Sequence, residues 1–459
     1  MIETMKHEKV NYEILKDFEI EITVEHNPYD FQMSDLFQMA TRINKKRSFL
    51  FVSKVLGKHL AVTPQMSLLI GNLLAMRYME AVHGIKDERI RAIADIIQKN
   101  DDPTKLLRSI ENSPIVLEKS LTIIGFAETA TALGHAFFST FSNKAKYIHT
   151  TREKIKELTS LINFEEEHSH ATSHYVYATN RAFFEDDNEV VLVDDEITTG
   201  KTAINIIRTM KEKYSYKKIF TVVSILDWRT AENQRKFQQL EKELDITIHV
   251  VSLIKGVTSI MGEPNIDDVK LATQSIVEQE SEIIEIHDLL HTGSFQEVSS
   301  WNEDGTGNKS PFLKATGRFG ITVEEDVSYL RDLKEAGSYL ASYRKGEKTL
   351  VIGTGEFMYV PMKIASYMGT NVYFQSSTRS PIYRSNELEY TIQSKYRFDS
   401  PDNPGLVNYL YNIDIQQYDE IFIFVERLST CKQINSIVSE LKRTGISKIN
   451  VVLMTQMSK

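Results

Sequence analysis

Val190-Val-Leu-Val193-Asp194-Asp195-Glu196-Ile197-Thr198-Thr199-Gly200-Lys201-Thr202 is the stretch that decides the fold. Its apolar, mostly β-branched start reads as a strand buried on both faces, as in the middle of a parallel sheet. Two adjacent acids end that strand. A Thr/Gly turn then leads into a helix over about Thr202 to Lys213. In open α/β sheets ligands sit beyond the carboxyl ends of strands, where this turn falls. The helix start at Gly200 to Thr202 offers free N–H groups and a positive dipole end, which suit a phosphate. Thr198, Thr199 and Thr202 add hydroxyl donors. Asp194 and Asp195 would repel that phosphate directly. The paired hydroxyls of a sugar, with a nearby Mg²⁺, suit them instead. A Walker A loop is excluded, because its spacing needs Gly at 195, where Asp195 stands. The plainer alternative is a helix N-cap after a strand, with Asp195 an ordinary turn acid.

The flanking sequence repeats the same grammar. Leu121-Thr-Ile-Ile124 is a buried-type strand, followed by Gly125 and a helical segment to Phe138. Tyr147 to His149, Ile219 to Leu226 and Ile246 to Ile254 are further strands, and Phe18 to Val24 is a short alternating one. Met66 to Val82, Asp87 to Gln98 and Asp268 to His287 read as helices. Residues 291–311 are dense in turn residues and read as a linker. Beyond it, strands at Thr349–Ile352, Asn371–Phe374, Glu420–Val425 and Ile449–Met454 alternate with helices at Val327–Tyr343, Met358–Met368 and Ile434–Lys442. The pattern predicts two α/β units with parallel sheets, residues 1–290 and 312–459, joined by the linker at 291–311.

Composition narrows the class. The 459 residues are 41% hydrophobic and 25% charged, which excludes a disordered or collagen-like chain. A single cysteine, Cys431, excludes an internal disulfide framework and fits a reducing compartment. The start, Met1 to Lys9, has no apolar stretch to act as a signal peptide, and no run of about 18 apolar residues occurs. A net charge of −9 gives no whole-surface footprint for nucleic acid. The expectation is a soluble cytoplasmic protein without nucleic-acid or membrane partners.

At Asp194 to Thr202 the chain resembles the type I phosphoribosyltransferases, whose signature for 5-phosphoribosyl 1-pyrophosphate (PRPP) is a hydrophobic strand, Asp-Asp and Thr-Thr-Gly-x-Thr. The resemblance implies that Asp194 and Asp195 hold the ribose hydroxyls and that Thr198, Thr199, Gly200, Lys201 and Thr202 hold the 5′-phosphate. Thr198 stands where purine-salvage enzymes commonly carry an Asp, which argues against a hypoxanthine- or guanine-type enzyme. Ile124-Gly125-Phe126-Ala127-Glu128-Thr129-Ala130-Thr131 resembles the pyrophosphate loop of the same enzymes, and its alternative is a plain strand–helix corner. Thr150-Thr151-Arg152 could bring a guanidinium to the pyrophosphate. Phe164 to Tyr175, with Glu167, His168, His170 and His174, lies where these enzymes carry a closing loop. A metal site or a solvated loop are its other readings. Lys54 and Lys58 line the hood over the acceptor or form an exposed turn.

These motifs together with Ser377-Thr378-Arg379-Ser380-Pro381 resemble one bacterial family, the phosphoribosyltransferase with a C-terminal TRSP domain, found with tellurite-resistance and stress gene clusters. That resemblance implies transfer of phosphoribosyl from PRPP to a base-like acceptor, with Mg²⁺ as cofactor and no protein cage for it. A non-catalytic PRPP sensor is the rival reading.

The C-terminal half also echoes the first. Lys54-x-x-Gly57-Lys58 is matched by Lys314-x-x-Gly317-Arg318, and Ile123-Ile-Gly125-x-x-Glu128 by Val351-Ile-Gly353-x-x-Glu356. Lys146-Tyr147 and Thr151-Arg152 are matched by Val372-Tyr373 and Thr378-Arg379, and Glu189–Val193 by Glu420–Phe424. In the second copy Val425 and Glu426 replace the two acids and Cys431 replaces Gly200, so one PRPP site per chain is expected. Glu356, Thr378, Arg379 and Ser380 are candidates to hold the acceptor or cover that site. A homodimer is one option for this fold, and a fused copy acting as internal partner is the other.

Overall fold

The computed structural model describes residues 8–43, 48–165, 173–266, 280–387 and 389–456. In chain order, the first sheet and its helices are β1 (Glu8–Leu15), β2 (Phe18–His26), α1 (Pro64–His83), β3 (Leu121–Gly125), α2 (Ala130–Phe138), β4 (Ala145–His149), β5 (Glu189–Val193), α3 (Lys201–Lys213), β6 (Ile219–Asp227), α4 (Ala231–Leu244) and β7 (Thr247–Gly262). The second set is β8 (Glu280–Glu285), β9 (Ile321–Thr322), α5 (Val323–Tyr343), β10 (Thr349–Gly353), α6 (Tyr359–Ala365), β11 (Val372–Ser376), β12 (Glu420–Val425), α7 (Asn435–Lys442) and β13 (Lys448–Leu453).

Strands β7-β6-β5-β3-β4 of the first sheet run parallel, in that order. The strand order therefore reverses between β3 and β5, and the two loops singled out above leave those two strands side by side. Such a switch point opens a crevice at the carboxyl ends, so topology alone places the site. The β1–β2 hairpin extends the sheet antiparallel to β7.

The second sheet, β8-β13-β12-β10-β11, is parallel throughout. Its strands β11-β10-β12-β13 stand in the order of β4-β3-β5-β6. The likeness extends to the loops. Thr151 makes an antiparallel bridge with Tyr175, in the hairpin Ile162–Glu165/Ser173–Val176, and Thr378 makes one with Tyr409, in the hairpin Lys395–Asp399/Val407–Tyr411. Pairing with β3 and β10 sets Tyr147 against Phe374, one residue away from the Tyr147–Tyr373 match expected from sequence.

The two units exchange edges. Ile321 of the second unit pairs with Tyr147 on β4, and Val62 of the first pairs with Phe374 on β11. Gly57 and Gly317 make the approach possible: both have positive φ, and a Cβ would lie 2.8 Å from the Phe374 ring and 2.5 Å from the Tyr147 ring. Helix α2 is buried along its whole length, and His135 on it stacks on Tyr359 of α6 with ring centroids 3.5 Å apart. One continuous hydrophobic core accordingly runs through both units. A second core lies on the other face of β10, β12 and β13, as the alternation of strand side chains requires.

The long helix expected over Asp268–His287 is not formed in its described part. Glu280–Glu285 is β8, and Asp268 to Gln279 lie outside the described residues. Glu282-Ile283-Ile284 carries β-branched residues that the helical reading undervalued. Within 291–311, Ser300–Trp301 pairs with both Gly307–Asn308 and Lys154–Ile155, so this stretch packs on the first unit.

Candidate active site

The end of β5 builds one wall. Asp194 N–H donates to Val223 O (2.9 Å), which extends the sheet pairing into the loop, and Asp195 N–H donates to Asp194 Oδ1 (2.9 Å). Both acids are half-buried. Burial pushes the Asp195 carboxyl up, and the neighbouring Glu196 adds to it. Gly200 then takes φ 73° as the cap residue of α3. Only glycine fits there. A Cβ would also lie 2.4 Å from the Phe237 ring on α4. Gly200→Ala is therefore expected to destabilise the fold by about 2–4 kcal/mol, read as a lowered Tm; an unchanged Tm would contradict this geometry.

The end of β3 builds the opposite wall. Phe126 N–H donates to Val193 O (3.0 Å) and Ala127 N–H to Thr150 Oγ1 (2.8 Å). The Ala127–Glu128 peptide is cis. The Glu128 carboxylate meets Lys58 Nζ at 3.0 Å, with the two side chains only 8% and 4% exposed, and accepts the Thr378 hydroxyl at 3.2 Å. Burial alone would raise Glu128, but Lys58, Arg152 and Arg379 outweigh it and hold the carboxyl below its usual range.

Between the walls lies a cavity of about 260 Å³. Asp194, Asp195, Thr198, Thr199, Gly200, Lys201 and Thr202 line one side, and Ala127, Glu128, Thr129 and Arg152 the other. Thr378, Arg379 and Ser380 enter the same cavity from the loop after β11. The sequence-predicted residues of three separate segments thus share one space. A Thr/Gly helix start, a pair of acids and the guanidinium-bearing Arg152 and Arg379 meet in one cavity, a donor set that suits an anionic, hydroxyl-bearing ligand.

Residues 36–257 match the family described as "Phosphoribosyl transferase", and residues 315–441 match its partner, the TRSP domain that lies C-terminal to it. The chain belongs to this two-part phosphoribosyltransferase family. No curated protein matches. Similar solved structures include adenine phosphoribosyl transferase from Trypanosoma brucei in complex with AMP, pyrophosphate and ribose-5-phosphate, at 12% identity over 54% of this chain and 87% of that one, TM-score 0.30. Adenine phosphoribosyltransferase from Leishmania donovani (13% identity, 34% and 67% covered, TM-score 0.21) is another. The enzyme from Giardia lamblia complexed with 9-deazaadenine (15%, 36% and 84%, 0.21) is a third. At these identities the acceptors of those enzymes do not carry over.

Not every expected residue of the transferase reaches the cavity. Ala130 is fully buried at the start of α2, and the Thr131 hydroxyl donates to Glu128 O (3.0 Å) and Glu356 O (3.1 Å); neither lines the space. His174, expected on the closing loop, does line the cavity, as a buried strand residue stacked on Phe164, with Nδ1 3.0 Å from Thr150 Oγ1. It braces the hydroxyl that holds Ala127. Glu167, His168 and His170 lie outside the described residues. Among the described residues no group of three or more His, Cys, Asp or Glu is placed to hold a metal. No described helix is long and apolar enough to cross a membrane.

The sequence reading missed the far end of the cavity. Arg42, Leu50, Phe51 and His59 line it, from a hairpin of Phe37–Thr41 and Phe49–Ser53 and the turn beyond. Both His59 ring nitrogens are buried without a hydrogen-bond partner among the described residues. Burial, with Lys58 and Arg42 nearby, holds His59 down at about 3, so it stays a neutral imidazole. The signal available was the apolar run Phe49-Leu-Phe-Val52, which reads as a strand once the polar residues around it are set aside.

The corresponding place in the second sheet is filled with protein. Only about 30 Å³ is left there. Arg427 follows the Glu426 that lines it: the guanidinium lies 3.4 Å over the Phe312 ring, with Nη1 donating to Ser300 Oγ (2.9 Å) and Nη2 to Asn308 O (3.1 Å). Arg318 meets Glu153 at 3.1 Å and Glu426 at 3.4 Å. Asp402, which accepts the Glu426 N–H at 3.1 Å, is pushed up to about 7 by burial and by Glu426 and Glu153. A folded-state value above the ordinary one means that the unfolded chain ionises first as pH rises from about 4 to 7, so the fold loses stability across that window. Asp402→Asn is expected to raise stability at pH 8 by about 2 kcal/mol and to leave it unchanged at pH 4. Thermal melts at the two pH values check this; an equal shift at both would contradict it.

Proposed function

We propose that the transferase moves the 5-phosphoribosyl group from PRPP to a nitrogenous base or base-like acceptor and releases pyrophosphate. The observation that carries this reading is the convergence of the Asp194–Thr202 turn, the Ala127–Thr129 loop, Arg152 and Arg379 on one cavity. The turn and Lys201 bind the 5′-phosphate, and Asp194 and Asp195 orient the ribose through its hydroxyls. Thr129, with Arg152 and Arg379, takes the pyrophosphate. The acceptor sits at the end formed by Leu50, Phe51 and His59. There an apolar wall excludes water, and a neutral imidazole offers one donor and one acceptor.

In the reaction the bond from the sugar's anomeric carbon to pyrophosphate breaks, and a bond to the acceptor nitrogen forms as that nitrogen loses its proton. Positive charge develops on the ribosyl group as negative charge grows on the leaving group. Preorganised acids beneath the first and guanidinium groups around the second lower that barrier most. Asp194 and Asp195 are hard oxygen donors that suit Mg²⁺, which takes one or two carboxylates together with substrate oxygens. When bound there, the ion neutralises part of the pyrophosphate charge. Residues 1–290 would carry the chemistry and 312–459 would act as its internal partner, in the cytoplasm.

The test is pyrophosphate release from PRPP and Mg²⁺ with a pooled small-molecule extract supplying acceptors. Release that depends on the extract is expected. Tight PRPP binding with no release from any fraction would favour the non-catalytic sensor instead.

A further inference from the structure

The pseudo-symmetry of the two units creates a pair of crossed contacts. Thr378, in the second unit, donates its hydroxyl to Glu128 of the first (3.2 Å). Thr151, in the first unit, donates its hydroxyl to Glu356 of the second (2.6 Å). Glu128 and Glu356 occupy the same place in their own loops, and Thr151 and Thr378 the same place after their own edge strands. The contacts are equivalent, but the surroundings are not. Glu128 faces the open cavity, whereas Glu356 lines the filled second site and does not reach the first.

What Glu356 does hold is the segment that carries Arg152. Its Oε2 takes the Thr151 hydroxyl and its Oε1 takes the Arg152 backbone N–H at 2.8 Å. The side chain is 4% exposed, and Arg318 stands 3.7 Å away. Burial would raise Glu356, but Arg318, Arg379 and His149 outweigh it and keep the carboxylate ionised. The backbone is gripped from the other side as well, since Thr151 N–H donates to Tyr175 O (2.8 Å) and Tyr175 N–H to Thr151 O (2.9 Å). With the main chain fixed on both sides, the Arg152 side chain leaves from a set point at the rim of the first cavity.

We infer that Glu356 is a positioning residue, through which the degenerate second site holds Thr151 and Arg152 so that the guanidinium is presented to pyrophosphate in the first. The retired site is thus kept as a clamp. Its acid has lost access to a ligand and gained a grip on the working unit. The inference rests on the proposed role of Arg152 at the pyrophosphate, and a structural role alone would affect every part of the cavity equally.

Two ligands separate these readings. Ribose 5-phosphate needs the Asp194–Thr202 turn only, while PRPP also needs Arg152. Calorimetric titration of the full-length protein with each, in Mg²⁺, compares the wild type with Glu356→Gln and Thr151→Val. Losing charge-assisted hydrogen bonds that set a ligand-facing group is expected to weaken PRPP binding about 10-fold in Glu356→Gln and about 3-fold in Thr151→Val. Ribose 5-phosphate should bind both variants within about twofold of wild type. Thr151→Val removes one hydroxyl at constant shape, so it keeps the comparison open if Glu356→Gln fails to fold. PRPP affinity unchanged in the folded variants overturns the positioning role, and a parallel loss of both ligands reduces it to a structural one. Wild-type protein that binds ribose 5-phosphate but not PRPP would instead overturn the pyrophosphate reading on which the inference stands.

Discussion

Replacing Asp194 and Asp195 together by Asn is expected to lower pyrophosphate release at least about 100-fold, by analogy with removal of single preorganised charge-stabilising groups. The same variant should melt no lower than wild type and is expected to melt higher at pH 8. The two outcomes have one cause. Asp194, Asp195 and Glu196 stand consecutively at a strand end, and burial with Glu196 nearby raises the Asp195 carboxyl above its usual value. A raised folded-state value means stability is lost as pH rises through it, so removing the charge returns that stability above neutral pH. An acid such as Asp195, whose charge opposes folding, is of the kind found in ligand-binding clefts, where perturbed groups cluster. Pyrophosphate release and thermal melts on one preparation check both halves. A folded variant with wild-type release would contradict the assignment of these acids.

Truncation after residue 290 should leave no soluble, fully active enzyme. The first unit's sheet would lose Ile321–Thr322 from the edge of β4, exposing a row of unpaired backbone groups. Helix α2, with every residue buried, would lose α6, and His135 would lose both Tyr359 and Asp326 (2.9 Å). A buried apolar side chain left uncovered costs about 1.5–3 kcal/mol, so a few of them exceed the margin by which such domains fold. The cavity would also lose Thr378, Arg379 and Ser380. Size-exclusion chromatography and pyrophosphate release on the 1–290 fragment read the outcome. A monodisperse fragment with full activity would show that the second unit is dispensable.

The parts of this protein legible in its sequence were those where local pattern and chemistry coincide. Buried strands such as Val190–Val193 and Ile421–Val425 are continuous apolar runs that few other structures accommodate, and the loop after the first of them lines the candidate site at a switch point set by strand order. The internal repeat was visible for the same reason. Less legible were elements whose identity depends on what packs against them. Glu280–Glu285 becomes a strand because β13 offers it an edge, and the charged residues around it mimic a helix. The hood strands Phe37–Thr41 and Phe49–Ser53 lie in a polar stretch and, among the described residues, pair as strands with each other alone. The role of Glu356 was hidden entirely. In sequence it is a copy of Glu128, and only the crossed packing of two units turns it from a cavity residue into the holder of Arg152.

We propose that a phosphoribosyl group leaves PRPP for an acceptor in the cavity between β3 and β5. The most direct measurement follows the ribosyl group itself. PRPP isotopically labelled in the ribose ring would be incubated with the full-length protein, Mg²⁺ and a small-molecule extract, and the products resolved by mass spectrometry. A labelled nucleotide-like species is expected, absent with Asp194→Asn/Asp195→Asn. Label confined to PRPP and ribose 5-phosphate, across every fraction of the extract, would contradict it.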